Sequence, residues 1–98
     1  MYARVVTGQY QPGRLDEGEQ MYRQSILPEA RQQPGFKGAI GLIDRSSGKA
    51  ISITFWENEA SAQASGANSS YGQAQLAKIA SLFDGALGIE TYEVVVQE

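Results

Sequence analysis

The chain has few side chains that can do chemistry, and it lacks two of the most versatile ones. It contains no cysteine and no histidine, which removes disulfides, thiolate nucleophiles, Ser-His triads and Cys/His metal sites in one step. No metal site is predicted, and no residue stands out as catalytic. The remaining candidates are side chains suited to bind an aromatic or anionic small molecule: Arg4, Tyr22, Thr54, Trp56 and Tyr71.

Arg4 is the charged candidate, and it stands among apolar residues in the strand-like segment "YARVVTGQY". A half-buried arginine normally pairs with a carboxylate or binds an anionic ligand. We expect an ion pair with Glu90 or Glu93 of the last strand, with an anionic ligand as the alternative.

The aromatic and hydroxyl candidates each have two interpretations. Tyr22 and Tyr71 can donate hydrogen bonds to a bound phenolate, or they lie at the margin of the core with satisfied hydroxyl groups. Trp56 has a large apolar body that suits a flat ligand, although packing in the core is the commoner role of such a residue. Thr54 and Ser52 share a strand face with Trp56, but alternation alone does not tell which face lines a pocket.

Hydrophobic periodicity predicts the elements that must position these residues. They are a strand over 2–10, an amphipathic helix over 15–31, a hairpin of strands over 38–44 and 49–56, helices over 59–65 and 71–83, and a strand over 89–96. Pro28 predicts a kink or break in the first helix near residues 26–28, with the last turn as a separate short piece. Gly48 suits the left-handed position of the hairpin turn.

The ends and faces of the later helices can also be assigned. Asn58 is a predicted N-cap, and Ser69 or Ser70 is expected to cap the next helix. The buried stripe of that helix is predicted to consist of Leu76, Ile79, Ala80 and Phe83.

The order of elements is typical of an α+β, ferredoxin-like βαββαβ domain spanning residues 1–98, with a four-stranded antiparallel sheet and helices on one face. Several strands nevertheless carry apolar residues on both faces, as Ile53 and Trp56 show on the third strand. A sheet with one solvated face would alternate with polar residues. We therefore expect a second subunit to cover the other face in a homodimer.

Composition excludes several partners. The net charge is -3 and the 8 basic residues are scattered, so there is no continuous positive surface for nucleic acid. No segment is long and apolar enough for a membrane span, and the first ten residues lack the pattern of a signal peptide. The default prediction is a cytoplasmic protein without nucleic-acid or membrane partners.

The stretch "LPEARQQPGFKGAIGLIDRSSGKAISITFWENEASAQAS" resembles the antibiotic biosynthesis monooxygenase-like family of dimeric α+β barrel proteins. The residues that carry the resemblance are "PGF" followed by "KG", the hairpin, and the strand that ends in "FWENE". It implies a homodimer in which two sheets face each other as a barrel, with a ligand cavity between sheet and helices in each subunit. It also implies an oxidation without cofactor, because a deprotonated phenol or quinol can pass an electron to dioxygen itself.

The resemblance also bears on single residues. Trp56 matches the family's tryptophan at the end of the third strand. Haem-degrading relatives rely on a histidine and on a second tryptophan, where this chain has Ser65, so haem degradation is not expected. Two functions stay open: a monooxygenase acting on a phenolic or quinol-type molecule, and a non-catalytic dimeric module that binds a small molecule or serves a structural or stress-related role.

Overall fold

Four strands and three helices make up the chain, in a computed structural model that describes residues 1–98. No helix is long and apolar enough to cross a membrane, and the cytoplasmic location stays a prediction. The strands are β1 (Tyr2–Tyr10), β2 (Phe36–Asp44), β3 (Lys49–Trp56) and β4 (Phe83–Glu93); the helices are α1 (15–30), α2 (Glu59–Ala64) and α3 (Ser70–Ile79), which a 3-10 turn extends over Ala80–Leu82.

The strands form one antiparallel sheet in the order β2-β3-β1-β4. This confirms the predicted ferredoxin-like arrangement. Arg4 on β1 lies opposite Thr54 of β3 and Thr91 of β4, which puts all three side chains on the face that the helices cover. On the other face Ile40 and Leu42 are each 46% exposed, so this chain leaves that face uncovered.

Helix α1 is irregular just before Pro28, as predicted: the first α-helical segment ends at Met21 and a separate short one begins at Leu27, while the chain stays helical over 15–30. Its middle segment, Tyr22–Ile26, is a π-helix, and the Leu27 N–H donates to the carbonyl of Tyr22. Pro28 has no N–H to donate, and the wider π turn accommodates a ring that would otherwise clash with the preceding turn. The helix therefore keeps both Tyr22 and Ile26 on the side that faces the sheet.

The β2–β3 hairpin turns as predicted. Gly48 has a φ of 80°, a left-handed conformation that glycine adopts without steric cost, and its N–H donates to the Asp44 carbonyl at 2.8 Å. The Asp44 carboxylate accepts hydrogen bonds from the Ser46 backbone and hydroxyl at 3.0 and 2.7 Å. These local contacts hold Asp44 opposite Lys49 and so fix the register of the hairpin.

Strand β4 begins earlier and ends earlier than the periodicity indicates. Phe83, predicted to end the last helix, is its first residue, and its ring stacks on Tyr10 with centroids 4.3 Å apart. The strand then bulges where the register shifts between Thr7 and Gln9 of β1. The stacking and the pairing with β1 outweigh the helical pattern, so "DGALG" belongs to the strand and not to a helix end.

The C-terminal end of β4 also differs from the prediction. The strand stops at Glu93, although the Val94 N–H still donates to the Met1 carbonyl at 2.9 Å. Val95 and Val96 lie beyond it and are 82% and 77% exposed, so the predicted strand over 89–96 is wrong for its last residues.

Helix α3 begins at a defined cap. The Ser69 hydroxyl accepts from the Gly72 N–H at 2.9 Å, so Ser69 and not Ser70 is the cap. Leu76 and Ile79 face the sheet as predicted, whereas Ala80 is exposed. The buried stripe is completed by Gly72 and Gln75 instead.

Helix α2 is held by a reciprocal cap. The Asn58 side chain accepts from the Ser61 N–H at 2.9 Å, and the Ser61 hydroxyl accepts from the Asn58 N–H at 3.3 Å. Losing such a cap typically costs about 1 kcal/mol, so we expect Asn58→Ala to lower the free energy of unfolding in urea by about that amount. Asn68→Ala is the matched control, because Asn68 is exposed and caps no helix; an equal loss in both variants would contradict the prediction.

Candidate functional site

A cavity of about 530 Å³ lies between the helix-covered face of the sheet and helices α1 and α3. Sites for small molecules typically enclose about 300–1,000 Å³. Most of the wall is apolar, with Val6, Ile26, Leu76, Ile79 and Leu87 among its members. Its polar character is confined to a few side chains, and their partners decide what the cavity can bind.

Arg4 reaches into this cavity from β1 while its side chain is only 8% exposed. Its Nη2 donates to the Ala62 carbonyl and, at 2.9 Å, to the Ser65 hydroxyl. The guanidinium carbon also lies 5.0 Å from the centre of the Trp56 ring, a cation–π distance. Arg4 is thus anchored through one nitrogen and one ring face, while Nε and Nη1 donate to no other group.

No carboxylate neutralises Arg4, and the expected ion pair with Glu90 or Glu93 is wrong. Glu90 pairs with Val5 in the sheet, so it points to the opposite face, where it accepts from the Tyr92 hydroxyl at 2.8 Å. Glu93 is exposed at the end of β4. Burial lowers the pKa of Arg4 below its usual value, because the charged form has lost water without gaining an anion.

Trp56 belongs to the core and not to the cavity wall. It is 0% exposed, and its ring meets Phe36 edge-on with centroids 5.8 Å apart. Its Nε1–H donates to the Thr54 hydroxyl at 2.9 Å, so the Thr54 proton is left for another acceptor. Trp56 therefore supports the two cavity residues beside it, Arg4 and Thr54, from behind.

Tyr71 and Gln75 form a polar pair on helix α3. The Gln75 Nε2 donates to the Ile26 carbonyl at 2.9 Å and to the Tyr71 hydroxyl at 3.1 Å. Since the Tyr71 oxygen accepts from Gln75, its proton can be donated into the cavity. Burial raises the pKa of Tyr71, with smaller opposite effects from the Gln75 hydrogen bond and the charge of Arg4, so this hydroxyl stays a proton donor.

Tyr22 and Ser52 provide a second hydroxyl pair. Their oxygens lie 2.8 Å apart across the cavity wall between α1 and β3. The Tyr22 ring passes close to Gly41, where an added Cβ would lie 3.2 Å from it. Burial raises the pKa of Tyr22, which the hydrogen bond with Ser52 partly offsets; this tyrosine is neutral near pH 7.

Charged residues lie where α1 faces the hairpin turn. Arg45 donates to Glu19 at 2.9 Å, and Arg23 contacts the same carboxylate at 3.3 Å. Hydrogen bonds from Arg45 and then Arg23 lower the pKa of Glu19. Glu19 is the one carboxylate among the cavity-lining residues, and a lowered pKa makes it a weak base.

At the level of sequence, neither a protein-family model nor a curated protein matches the chain. Solved structures do. A protein of unknown function from Nitrosomonas europaea is 22% identical, with a TM-score of 0.77 over 99% of this chain and 91% of its own. A candidate antibiotic biosynthesis monooxygenase from Bordetella bronchiseptica is 16% identical, with a TM-score of 0.81 over 97% of each chain.

A third structure has a named activity. SnoaB of Streptomyces nogalater, a cofactor-independent oxygenase solved as a variant, is 13% identical, with a TM-score of 0.80 over 98% of this chain and 94% of its own. The chain has the antibiotic biosynthesis monooxygenase fold. At identities this low, the structural similarity shows the fold of the chain but does not show which reaction it catalyses.

Within this monooxygenase fold, four of the five predicted binding residues line one cavity: Arg4, Tyr22, Thr54 and Tyr71. Trp56 lies behind it. Two further residues were not predicted as parts of the site. Ser65 was noted only where a relative has tryptophan, and it anchors Arg4. Gln75 was missed, although its spacing of four residues from Tyr71 puts both on one helix face.

Proposed function

We propose that the chain binds a phenolic or quinol-type aromatic molecule as its oxyanion in this cavity and oxidises it with dioxygen, without a cofactor. The observation that carries the proposal is Arg4, a buried and unneutralised guanidinium in a largely apolar cavity of about 530 Å³. Burial has removed the water that would stabilise this charge, and an anionic ligand would neutralise it instead. The similarity in fold to a cofactor-independent oxygenase supports the same chemistry.

Hydrogen-bond donors around Arg4 suit an oxygen that carries negative charge. Nε and Nη1 of Arg4 are two such donors. The hydroxyl oxygens of Thr54 and Tyr71 each accept a hydrogen bond from a neighbouring side chain, and their own protons have no acceptor within the chain. Fixed donors in a site that excludes water stabilise developing charge more strongly than the same groups do in water. The site would hold the reactive, deprotonated form of the ligand.

The oxidation itself balances without another reactant. The bound anion transfers one electron to dioxygen, and the resulting radical and superoxide combine to form a carbon–oxygen bond. The peroxide then takes up a proton, and the O–O bond breaks with loss of water, leaving a new carbonyl group. The net reaction converts the substrate and one dioxygen into a quinone-type product and one water.

The lack of a buried base favours a second candidate, a module that binds the anion and does not oxidise it. The tyrosines of the cavity have raised pKa values, and Glu19 is held by two arginines. The ligand would then lose its proton to solvent, with Arg4 stabilising the anion that forms. This route serves binding and oxidation equally, so only turnover separates the two candidates.

We propose further that the chain acts as a homodimer through the uncovered face of its sheet. Ile40 and Leu42, which pair with Ile53 and Ile51 of β3, are each 46% exposed there, and Tyr92 of β4 is 50% exposed. A contiguous apolar surface of this kind is typical of a protein interface. A two-fold axis would place the same face of a second copy against it.

The test of oxidation is a comparison with and without oxygen. The protein is incubated anaerobically with naphthohydroquinone or anthrone, and oxygen uptake and quinone formation are recorded after oxygen is admitted. We expect oxidation about 100-fold faster than in buffer, a typical effect of oxyanion stabilisation. Binding without acceleration would select the non-catalytic module, and absence of both would refute the proposal.

A matched pair of variants locates the reaction. Ala50 lines the cavity and Ala74 is exposed on α3 outside it. Ala50→Phe fills cavity volume and is expected to abolish the acceleration, whereas Ala74→Phe is expected to retain it. Equal activity of both variants would place the reaction elsewhere, provided that circular dichroism shows both to be folded.

A further inference from the structure

The Gln75 side chain holds a hydrogen-bond acceptor that the chain leaves unused. Gln75 lines the cavity and is 8% exposed, and its Oε1 is buried without any partner. An unpaired buried acceptor costs roughly 1–3 kcal/mol. Such a group is rare in folded proteins, and because Gln75 is a residue of the cavity wall, a ligand bound there could supply the missing partner.

The orientation of this amide is fixed by its surroundings. Its Nε2 lies 2.9 Å from the Ile26 carbonyl oxygen, which can only accept a hydrogen bond. Rotating the amide by half a turn would bring two acceptors together, so nitrogen must face Ile26 and oxygen must be the unpaired atom. Gln75 thus keeps an unpaired acceptor oxygen, while its Nε2 donates to the neighbouring Tyr71 hydroxyl at 3.1 Å.

The cavity therefore offers a ligand both hydrogen-bond donors and an unpaired acceptor. Arg4, Thr54 and Tyr71 supply donors for an oxygen that carries charge, whereas Gln75 Oε1 needs a ligand atom that carries a proton. We propose that Gln75 selects dihydroxy-aromatic ligands bound as monoanions, with one oxygen ionised at Arg4 and a second, protonated hydroxyl donating to Gln75 Oε1. This inference rests on the proposed binding of a phenolate, and it adds the specificity for the second group.

The experiment compares ligands that differ only in the second group. Affinities of the wild-type protein are measured anaerobically by calorimetry for naphthohydroquinone, its monomethyl ether, and the aminonaphthol in which N–H replaces the second O–H. We expect the diol and the aminonaphthol to bind about tenfold more tightly than the ether, the effect of one buried hydrogen bond. The ether keeps an oxygen but has no proton to donate.

Variants then assign the preference to Gln75. Gln75→Met keeps length and volume without hydrogen-bonding groups and is expected to bind diol and ether with equal affinity. Gln73→Met, on the exposed side of α3, is expected to keep the tenfold ratio. Should Gln75→Met fail to fold, the wild-type ratios still decide.

The outcomes separate this inference from the proposed function. Equal binding of diol and ether by the wild type would overturn the role of Gln75, because water would then satisfy its oxygen with either ligand. Binding of the phenolate at Arg4 would still stand. No binding of any of the three compounds would overturn both.

Discussion

Replacing Arg4 by methionine is expected to weaken the binding of a naphtholate about 30-fold. A hydrogen bond to a charged group contributes about 2 kcal/mol, which corresponds to that ratio. Arg4 has unused donors on Nε and Nη1 and no carboxylate to compete with the ligand. The affinity is measured by calorimetry at a pH above the naphthol's own pKa, where the ligand is fully ionised.

The pH dependence of binding tests the same residue in another way. If Arg4 stabilises the anion by about 2 kcal/mol, the pKa of the bound naphthol falls about 1.5 units below that of the free compound. The affinity for total naphthol should therefore rise with pH from the bound pKa upward and level off above the free pKa. In Arg4→Met this rise should shrink or disappear, as followed by the absorbance of the bound naphtholate.

Two further variants control for the loss of structure. Arg31 is exposed and lies outside the cavity, so Arg31→Met removes the same charge from the chain without affecting the site. Arg4→Lys retains a charge in the cavity, so it should still lower the pKa of the bound naphthol, though by less than Arg4 does. A bound naphthol with an unshifted pKa in the wild type would show that Arg4 serves only the packing against Trp56 and Ser65.

Replacing Ile53 by glutamate is expected to convert a dimer into monomers. Ile53 lies in the middle of the uncovered face, opposite Val5 on β1 and Ile40 on β2. A carboxylate at this position would have to be buried without a partner when two sheets face each other, which costs several kcal/mol. We expect the dissociation constant to rise more than about 100-fold, as measured by sedimentation equilibrium at micromolar concentration.

The control for this substitution is Ala77→Glu, which adds the same charge to an exposed position on α3. It should leave the dimer intact. Because the sheet face is open to solvent in a single chain, Ile53→Glu should retain its secondary structure as a monomer. A wild-type chain that sediments as a folded monomer would contradict the proposed dimer directly.

Much of the fold follows from short-range pattern and turn chemistry. The Gly48 turn, the Asn58 cap and the alternation along β1 depend on residues that are near neighbours in the chain, so the sequence predicted them correctly. The same holds for the amphipathic helix predicted over 15–31, since residues 15–30 are helical. The resemblance spanning 27–65 added the family of folds, which the structural comparisons support.

Predictions failed where distant parts of the chain compete with local preference. Phe83 continues a helical pattern, yet stacking on Tyr10 draws it into β4. This contact, which no local pattern records, outweighs the local preference for helix.

The sequence by itself determined which side chains could take part in a site. Arg4 and the tyrosines were available, whereas cysteine and histidine were excluded because the chain has none. It also determined the order of elements that brings them together. Only the tertiary structure decided that Arg4 has no carboxylate partner, because the pairing of β1 with β4 turns Glu90 to the opposite face. It likewise decided that Gln75 has an unpaired oxygen, because that depends on how α3 packs against the Ile26 carbonyl of α1.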